Sequence, residues 1–134
     1  MDFRPHGDHH LYCKRHGIIV AQPIGSWNIE AAQRYYADIR RCISQSPSAP
    51  MHWCRIVDLS QYQLHTPDVP KLLRRLAFWT ARHGCVFHSY IFSNNLQKHT
   101  VKRMFEGVAA HYGEAKDSDD ALEQCLRMLR RVTP

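Results

Sequence analysis

The chain has 134 residues, of which 44% are hydrophobic and 22% charged, and it carries a formal net charge of +6. This length predicts a single domain, because a second hydrophobic core would need more chain than remains once the first is filled. The composition excludes a membrane-spanning helix, since no stretch approaches ~18 uncharged apolar residues, and the opening MDFRPHGDHH does not resemble an export signal, so we expect a cytoplasmic protein.

The first elements in chain order are a polar arm, a hairpin and a helix. Residues 1–10 are rich in His, Gly and Pro and predict a flexible arm. The run LYCKRHGIIVAQPI at residues 11–24 is interrupted by His16-Gly17, which indicates a tight connection between two antiparallel strands. The apolar residues that follow recur at offsets of three and four, and they predict a helix with the inward stripe Ile29, Ala32, Tyr36, Ile39 and Ile43.

Strands and helices alternate in the rest of the chain. HWCRIVDL at residues 52–59 and CVFHSYIF at residues 85–92 are rich in β-branched and aromatic residues, which predicts two buried strands. A third helix is predicted to stop near Gly113, with a weak strand at residues 114–117 and a last helix after it. The second helix lies between the two buried strands and has the inward stripe Val69, Leu72, Leu73, Leu76 and Thr80.

The order of elements is therefore β-β-α-β-α-β-α-β-α. Strands that alternate with helices require right-handed parallel crossovers. The sequence predicts the α/β class, with residues 11–134 forming a single domain. We expect a mixed, mainly parallel sheet of about five strands with about four helices, in which the opening hairpin supplies the antiparallel pair.

This order, together with GSWN before the first helix and VDLS before the second, resembles the STAS domain of bacterial anti-sigma-factor antagonists, in the SpoIIAA-like branch. The resemblance covers residues 9–132 and implies a non-enzymatic regulatory or protein-interaction module. In regulatory members, a serine of an Asp-Ser-Ser-Gly motif at the start of the second helix is phosphorylated by a partner kinase. Here His65-Thr66-Pro67-Asp68 occupies the motif position, so Pro67 replaces that serine and the glycine is missing.

Local physics offers a second interpretation of the segment before the second helix. Thr66 is a good N-cap, Pro67 fits the first helical position, and Asp68 complements the helix dipole. The alternatives to this capping role are phosphorylation of Thr66 or Ser60, and an anion held at the helix N-terminus.

Four polar side chains are predicted at the carboxyl edge of the sheet, namely Asp58, Ser60, Thr66 and Asn94. Open α/β sheets place their ligand crevices at this edge, so the four residues are candidates for contact with a small apolar or anionic ligand. An aspartate at a strand end also commonly holds loop amides by hydrogen bonds, and we favour that structural role for Asp58.

The second helix and the loop before it also offer a candidate surface for a protein partner or a second copy of the chain. Phe78 and Trp79 are adjacent, so they cannot both lie on the inward stripe. An exposed aromatic ring would form an apolar and basic patch, whereas packing against a neighbouring helix is the alternative. The candidate interface residues are Lys71, Arg74, Arg75, Phe78, Trp79 and Arg82.

The net charge favours acidic partners. The basic residues are nevertheless spread among several segments and lack interleaved aromatic rings on one face, which disfavours nucleic acid as the partner.

The sequence lacks the motifs of common enzymes and metal sites. It contains no GxSxG, P-loop, GxGxxG or HExxH. His6, Asp8, His9 and His10 are the nearest approach to a metal cluster, but they lack a rigid framework. The five cysteines are widely spaced without a CxxC, which indicates buried free thiols. We therefore expect no catalytic residues, no cofactor and no metal.

Overall fold

The computed structural model describes residues 6–44 and 51–132, and within them six strands and four helices. The predicted α/β class is confirmed, with one strand more than expected. The elements in chain order are β1 (Asp8–Arg15), β2 (Ile18–Trp27), α1 (Ile29–Ser44), β3 (Trp53–Asp58), β4 (Tyr62–His65), α2 (Val69–Arg82), β5 (Cys85–Ile91), α3 (Asn95–Met104), β6 (His111–Glu114) and α4 (Ser118–Val132).

The sheet has the strand order β1-β2-β3-β5-β6, and β4 lies beside the far end of β2. β1 and β2 are antiparallel, and the other pairs are parallel. Ile19 and Ala21 of β2 pack with α1 and α2 on one face, whereas Ile18 and Val20 pack with α4 on the other. Helices therefore cover both faces, as a mainly parallel sheet requires.

β4 is the strand that the sequence did not predict. β2 pairs with β3 only over Ile18–Ala21, so its last residues would present an unpaired edge. The chain returns to this edge after β3, where the amide of Gly25 donates to the carbonyl of Gln61 (2.9 Å) and the amide of Thr66 donates to that of Trp27 (3.0 Å). YQLH contains no β-branched residue, so the strand comes from this pairing and not from local propensity.

The start of the chain also differs from the prediction. β1 begins at Asp8, so residues 8–10 of the predicted arm belong to a strand instead. The reason is tertiary: the ring of His9 lies 2.8 Å from the carboxylate of Asp38 on α1 and packs edge-on against Tyr35. Residues 1–5 of the predicted arm lie outside the described residues.

α3 ends earlier than predicted, and the following strand also comes earlier. The helix ends at Met104, and Gly107 has a φ of +77°, a left-handed conformation that commonly terminates helices. Tyr112, which falls within the helix predicted to stop near Gly113, therefore lies on β6, which spans His111–Glu114 and not residues 114–117.

Candidate functional site

A cleft of about 190 Å³ opens between the sheet, β4 and the helices α1 to α3. Leu64 on β4 and Leu96 on α3 line its mouth, and each is 65% exposed. Its walls are mostly apolar and include Trp27, Val57, Leu59, Leu73, Leu76, Val101 and Met104. Clefts of this kind, apolar with a few converging polar groups, are the usual form of small-molecule sites.

Arg55 lines this cleft although it is only 2% exposed. It sits in the middle of β3, where Cys54 and Ile56 point toward α4. Because side chains alternate along a strand, Arg55 points to the opposite face, under α1 and α2.

Three side chains accept hydrogen bonds from the Arg55 guanidinium. Nε donates to Nδ1 of His88 (3.0 Å), Nη1 to the hydroxyl of Tyr35 (3.1 Å) and Nη2 to the hydroxyl of Tyr90 (3.2 Å). Tyr35 comes from α1, and His88 and Tyr90 come from β5. One helix and one neighbouring strand therefore fix the position of the guanidinium.

His88 continues this network away from the cleft. The hydroxyl of Thr80 donates to the carbonyl of Ala77 (2.7 Å) and lies 3.3 Å from Nε2 of His88. Since the hydroxyl hydrogen is used there, Nε2 carries the imidazole proton and Nδ1 is the acceptor for Arg55. Burial and the charge of Arg55 hold the pKa of His88 well below its usual range, so the imidazole is neutral.

The groups around Arg55 supply no negative charge. Burial raises the pKa of Tyr90 to about 12 and that of Cys85 to about 12, and it also raises the pKa of Tyr35. All three groups are therefore neutral at ordinary pH. The ion pairs within residues 6–44 and 51–132 involve other side chains, so Arg55 is a buried cation without a carboxylate partner there.

The four residues predicted at the carboxyl edge do not converge. Asp58 accepts from the amide of Ser60 (2.9 Å) and the side chain of Gln22 (3.4 Å), and it borders a separate small depression beside Tyr12. Asn94 does line the cleft, but it also caps α3 by accepting from the amide of Gln97 (2.9 Å). Ser60 and Thr66 are exposed and lie outside the cleft.

The predicted N-cap at Thr66 is wrong. α2 begins at Val69 with Asp68 in the cap position, and Pro70, not Pro67, occupies its first turn. The Thr66 hydroxyl donates to the carboxylate of Asp68, and the Thr66 carbonyl accepts from the amide of Val69 (3.1 Å). A separate turn therefore precedes the helix, and phosphorylation of Thr66 or Ser60 stays a prediction.

Two residues of the predicted partner interface are used inside the fold. Trp79 is 6% exposed and its ring stacks on His83 at 4.1 Å between centroids. Arg74 lies over the half-buried ring of Phe78 and donates to the carbonyls of Arg103 (3.0 Å) and Met104 (3.1 Å) at the end of α3. Within the predicted set, the exposed residues of α2 are Lys71, Arg75 and Arg82.

Metal-ligating clusters and membrane-spanning helices are both absent from the described residues. Within 6–44 and 51–132, no group of three or more His, Cys, Asp or Glu side chains is placed to hold a metal ion. The helices in those ranges include none long and apolar enough to cross a membrane.

Solved structures with a SpoIIAA-like fold are similar to this chain. An uncharacterized protein of the DUF3478 family with that fold, from Shewanella loihica PV-4, matches with a TM-score of 0.69 and 10% identity over 89% of this chain and 94% of that one. The Bacillus cell fate determinant SpoIIAA in its phosphorylated form matches with a TM-score of 0.60 and 16% identity, over 87% of this chain and 97% of that one. The anti-sigma factor antagonist SpoIIAA in its unphosphorylated form matches with a TM-score of 0.60 and 18% identity, over 89% and 97%.

A scan against family models and a search of curated proteins found no significant match. The likeness to the three solved structures is one of fold, since all of them are below 25% identity. The fold expected from the resemblance to the SpoIIAA-like branch is thereby confirmed.

Proposed function

We propose that the chain is a non-enzymatic, cytoplasmic regulatory module that binds an acidic protein surface through the outer faces of α2 and α3. One observation carries this proposal: neither helix contains an Asp or a Glu. The exposed cations of the pair, which we call the basic face, are Lys71, Arg75, Arg82, Lys102 and Arg103. A surface with such an excess of positive charge attracts an oppositely charged partner and raises its association rate.

The surroundings of the basic face support a protein as the partner. Leu64 and Leu96 are large apolar side chains that lie exposed at the mouth of the cleft, beside α2 and α3. Exposed apolar groups rimmed by charge are typical of protein interfaces. The SpoIIAA-like fold adds to this support, because one of the similar structures is an anti-sigma factor antagonist.

The chemistry of the cleft favours binding over catalysis. Its lining contains no Asp or Glu, and the imidazole of His65, the group there of the type that most often serves as a general base, is engaged with the hydroxyl of Tyr62 (2.8 Å). The nearby thiol of Cys85 is buried, and burial raises its pKa to about 12, so it is not an activated nucleophile.

The test compares two charge-reversal variants with the wild-type chain. One variant changes the basic face (Lys71→Glu, Arg75→Glu, Lys102→Glu), and the other makes the same charge change on α4, on the opposite face of the sheet (Arg127→Glu, Arg130→Glu, Arg131→Glu). Each protein is immobilised and incubated with a lysate of cells from the organism that encodes it. The captured proteins are then quantified by mass spectrometry. Circular dichroism checks that both variants fold.

We expect an acidic protein that the wild type and the α4 variant capture and the basic-face variant loses. With that protein purified, the affinity should fall with rising salt, because exposed charges are screened, and drop at least about tenfold in the basic-face variant. Equal capture by all three proteins, or capture of nothing but further copies of the chain itself, would contradict the proposal.

A further inference from the structure

We propose that the cleft binds an amphipathic monocarboxylate, with the carboxylate on Arg55, Tyr35 and Tyr90 and the apolar body between the sheet and the helices. This site is distinct from the basic face, and it does not depend on the identity of a protein partner. It also differs from the carboxyl-edge residues that the sequence suggested, of which only Asn94 borders the cleft.

The Arg55 guanidinium and the two tyrosine hydroxyls bonded to it have hydrogen-bond donors that are not used. A guanidinium has five N–H groups, and three of them meet the acceptors His88, Tyr35 and Tyr90. Two N–H groups therefore lack an acceptor in the part of the chain that the structure describes. The Tyr35 and Tyr90 oxygens accept from Arg55, and in the same ranges their own hydroxyl hydrogens meet no acceptor.

Within residues 6–44 and 51–132, four donors without an acceptor thus belong to three side chains that line the cleft together. Leaving buried donors unpaired is unfavourable, and a charged group costs more than a neutral one. A carboxylate supplies two oxygens with lone pairs enough for all four donors, and its planar shape matches the fork of an arginine. The arrangement of Arg55, Tyr35 and Tyr90 is therefore that of an anion receptor.

The charge of the site selects a single negative charge. Among the residues that line the cleft, Arg55 has the permanent positive charge, and none is Lys, Asp or Glu. His65 and His88 do not add to it, because burial lowers the pKa of both imidazoles. A monocarboxylate neutralises one guanidinium, whereas a phosphate monoester carries about −1.5 to −2 and would leave buried charge uncompensated.

The walls select an apolar body for the ligand. Leu73, Leu76 and Met104 contribute side chains to one side of the cleft, and Val57 belongs to the sheet beneath them. The volume of about 190 Å³ exceeds the ~150 Å³ of an apolar protein cavity that accepts benzene. A phenyl group or a medium-length alkyl chain therefore fits behind the carboxylate.

A purely structural role is the competing explanation for Arg55. Buried charges often stabilise less than well-packed apolar residues of similar volume. If Arg55 has only a structural role, the wild-type cleft has no preference for an anionic ligand over an uncharged one of the same shape. If Arg55 receives the ligand, the wild-type cleft prefers the anion, and a methionine at this position fills the space and removes that preference.

The test uses octanoate and 1-octanol, which share an alkyl chain and differ in charge, with calorimetric titration of each into the wild-type chain near neutral pH. We expect octanoate to bind at least about tenfold more tightly than octanol, because charge-assisted hydrogen bonds are the stronger kind. Arg55→Met should lose this preference and still bind octanol. Arg75→Met, a matched change at an exposed arginine, should keep it.

A second variant guards against a failure of Arg55→Met to fold. Tyr35→Phe combined with Tyr90→Phe keeps the rings and the charge and removes two donors, so octanoate affinity should fall and octanol affinity should hold. The proposal is overturned if the wild type binds octanoate no better than octanol, or if octanoate affinity survives in both the Arg55 and the tyrosine variants. Tighter binding of octyl phosphate than of octanoate would overturn the assignment of a monocarboxylate.

Discussion

His88 should make the stability of this protein fall as the pH drops below about 6.5. The imidazole is fully buried, accepts from Arg55 and is held neutral. Protonation would place an N–H⁺ at Nδ1, facing the N–H of a charged guanidinium 3.0 Å away. In the unfolded chain the same imidazole is free to take up a proton near its ordinary pKa of 6.5.

The sign and size of the effect follow from linkage. The pKa of His88 is lower in the folded state than in the unfolded state, so the unfolded state binds more protons. Lowering the pH therefore shifts the equilibrium toward the unfolded state. Stability is therefore complete above about pH 6.5 and declines below it. One such histidine removes about 1.4 kcal/mol of unfolding free energy between about pH 7.5 and about pH 5.5.

The assay is urea denaturation at a series of pH values, followed by tryptophan fluorescence. Trp27, Trp53 and Trp79 are all buried, so their emission reports loss of the core. The control variant is His88→Asn, which carries an acceptor and a donor but does not titrate. His65, whose pKa burial also lowers, contributes equally to both proteins. If the wild type and His88→Asn lose the same free energy over this range, the buried neutral imidazole is refuted.

Two further predictions concern the frame around the site, and both are measured by urea denaturation. Arg74→Ala should lower the unfolding free energy by about 1–2 kcal/mol, because it removes two hydrogen bonds to the last carbonyls of α3. Arg75→Ala, an exposed neighbour, should stay within about 0.5 kcal/mol of wild type, and equal losses would rule out the capping role. Gly84→Ala should cost about 1–3 kcal/mol more than Gly17→Ala. Both glycines have positive φ, but a Cβ on Gly84 would lie 2.3 Å from the carbonyl oxygen of Met51, whereas one on Gly17 meets nothing nearer than 3.6 Å. Similar losses in the two variants would contradict that contact.

Most of the fold could be predicted because its elements have strong local patterns. The stripes of α1 and α2 and the apolar runs of β3 and β5 indicate their type within a few residues. β4 could not be found this way, since it forms only because β2 extends beyond β3. The first residues of β1 were missed for a similar reason, because a polar segment becomes a strand through contact with α1.

The candidate site was harder to predict, because its residues come from three distant segments. Tyr35, Arg55 and Tyr90 each sit in an otherwise ordinary helix or strand, and only the parallel pairing of β3 with β5 brings two of them together. One signal was present: an arginine in the middle of WCRIVD, a strand whose neighbours are apolar. Arginine is rarely fully buried without a partner, so such a position marks a place to look for one.

The most direct measurement is a crystal structure of the chain grown with octanoate. We predict a carboxylate within about 2.7–3.0 Å of the Arg55 Nη atoms and hydrogen-bonded to the hydroxyls of Tyr35 and Tyr90, with the alkyl chain running toward Leu64 and Leu96. A structure with the cleft empty, or with the carboxylate at the mouth and the alkyl chain against Arg55, would contradict the assignment of this cleft as an anion receptor.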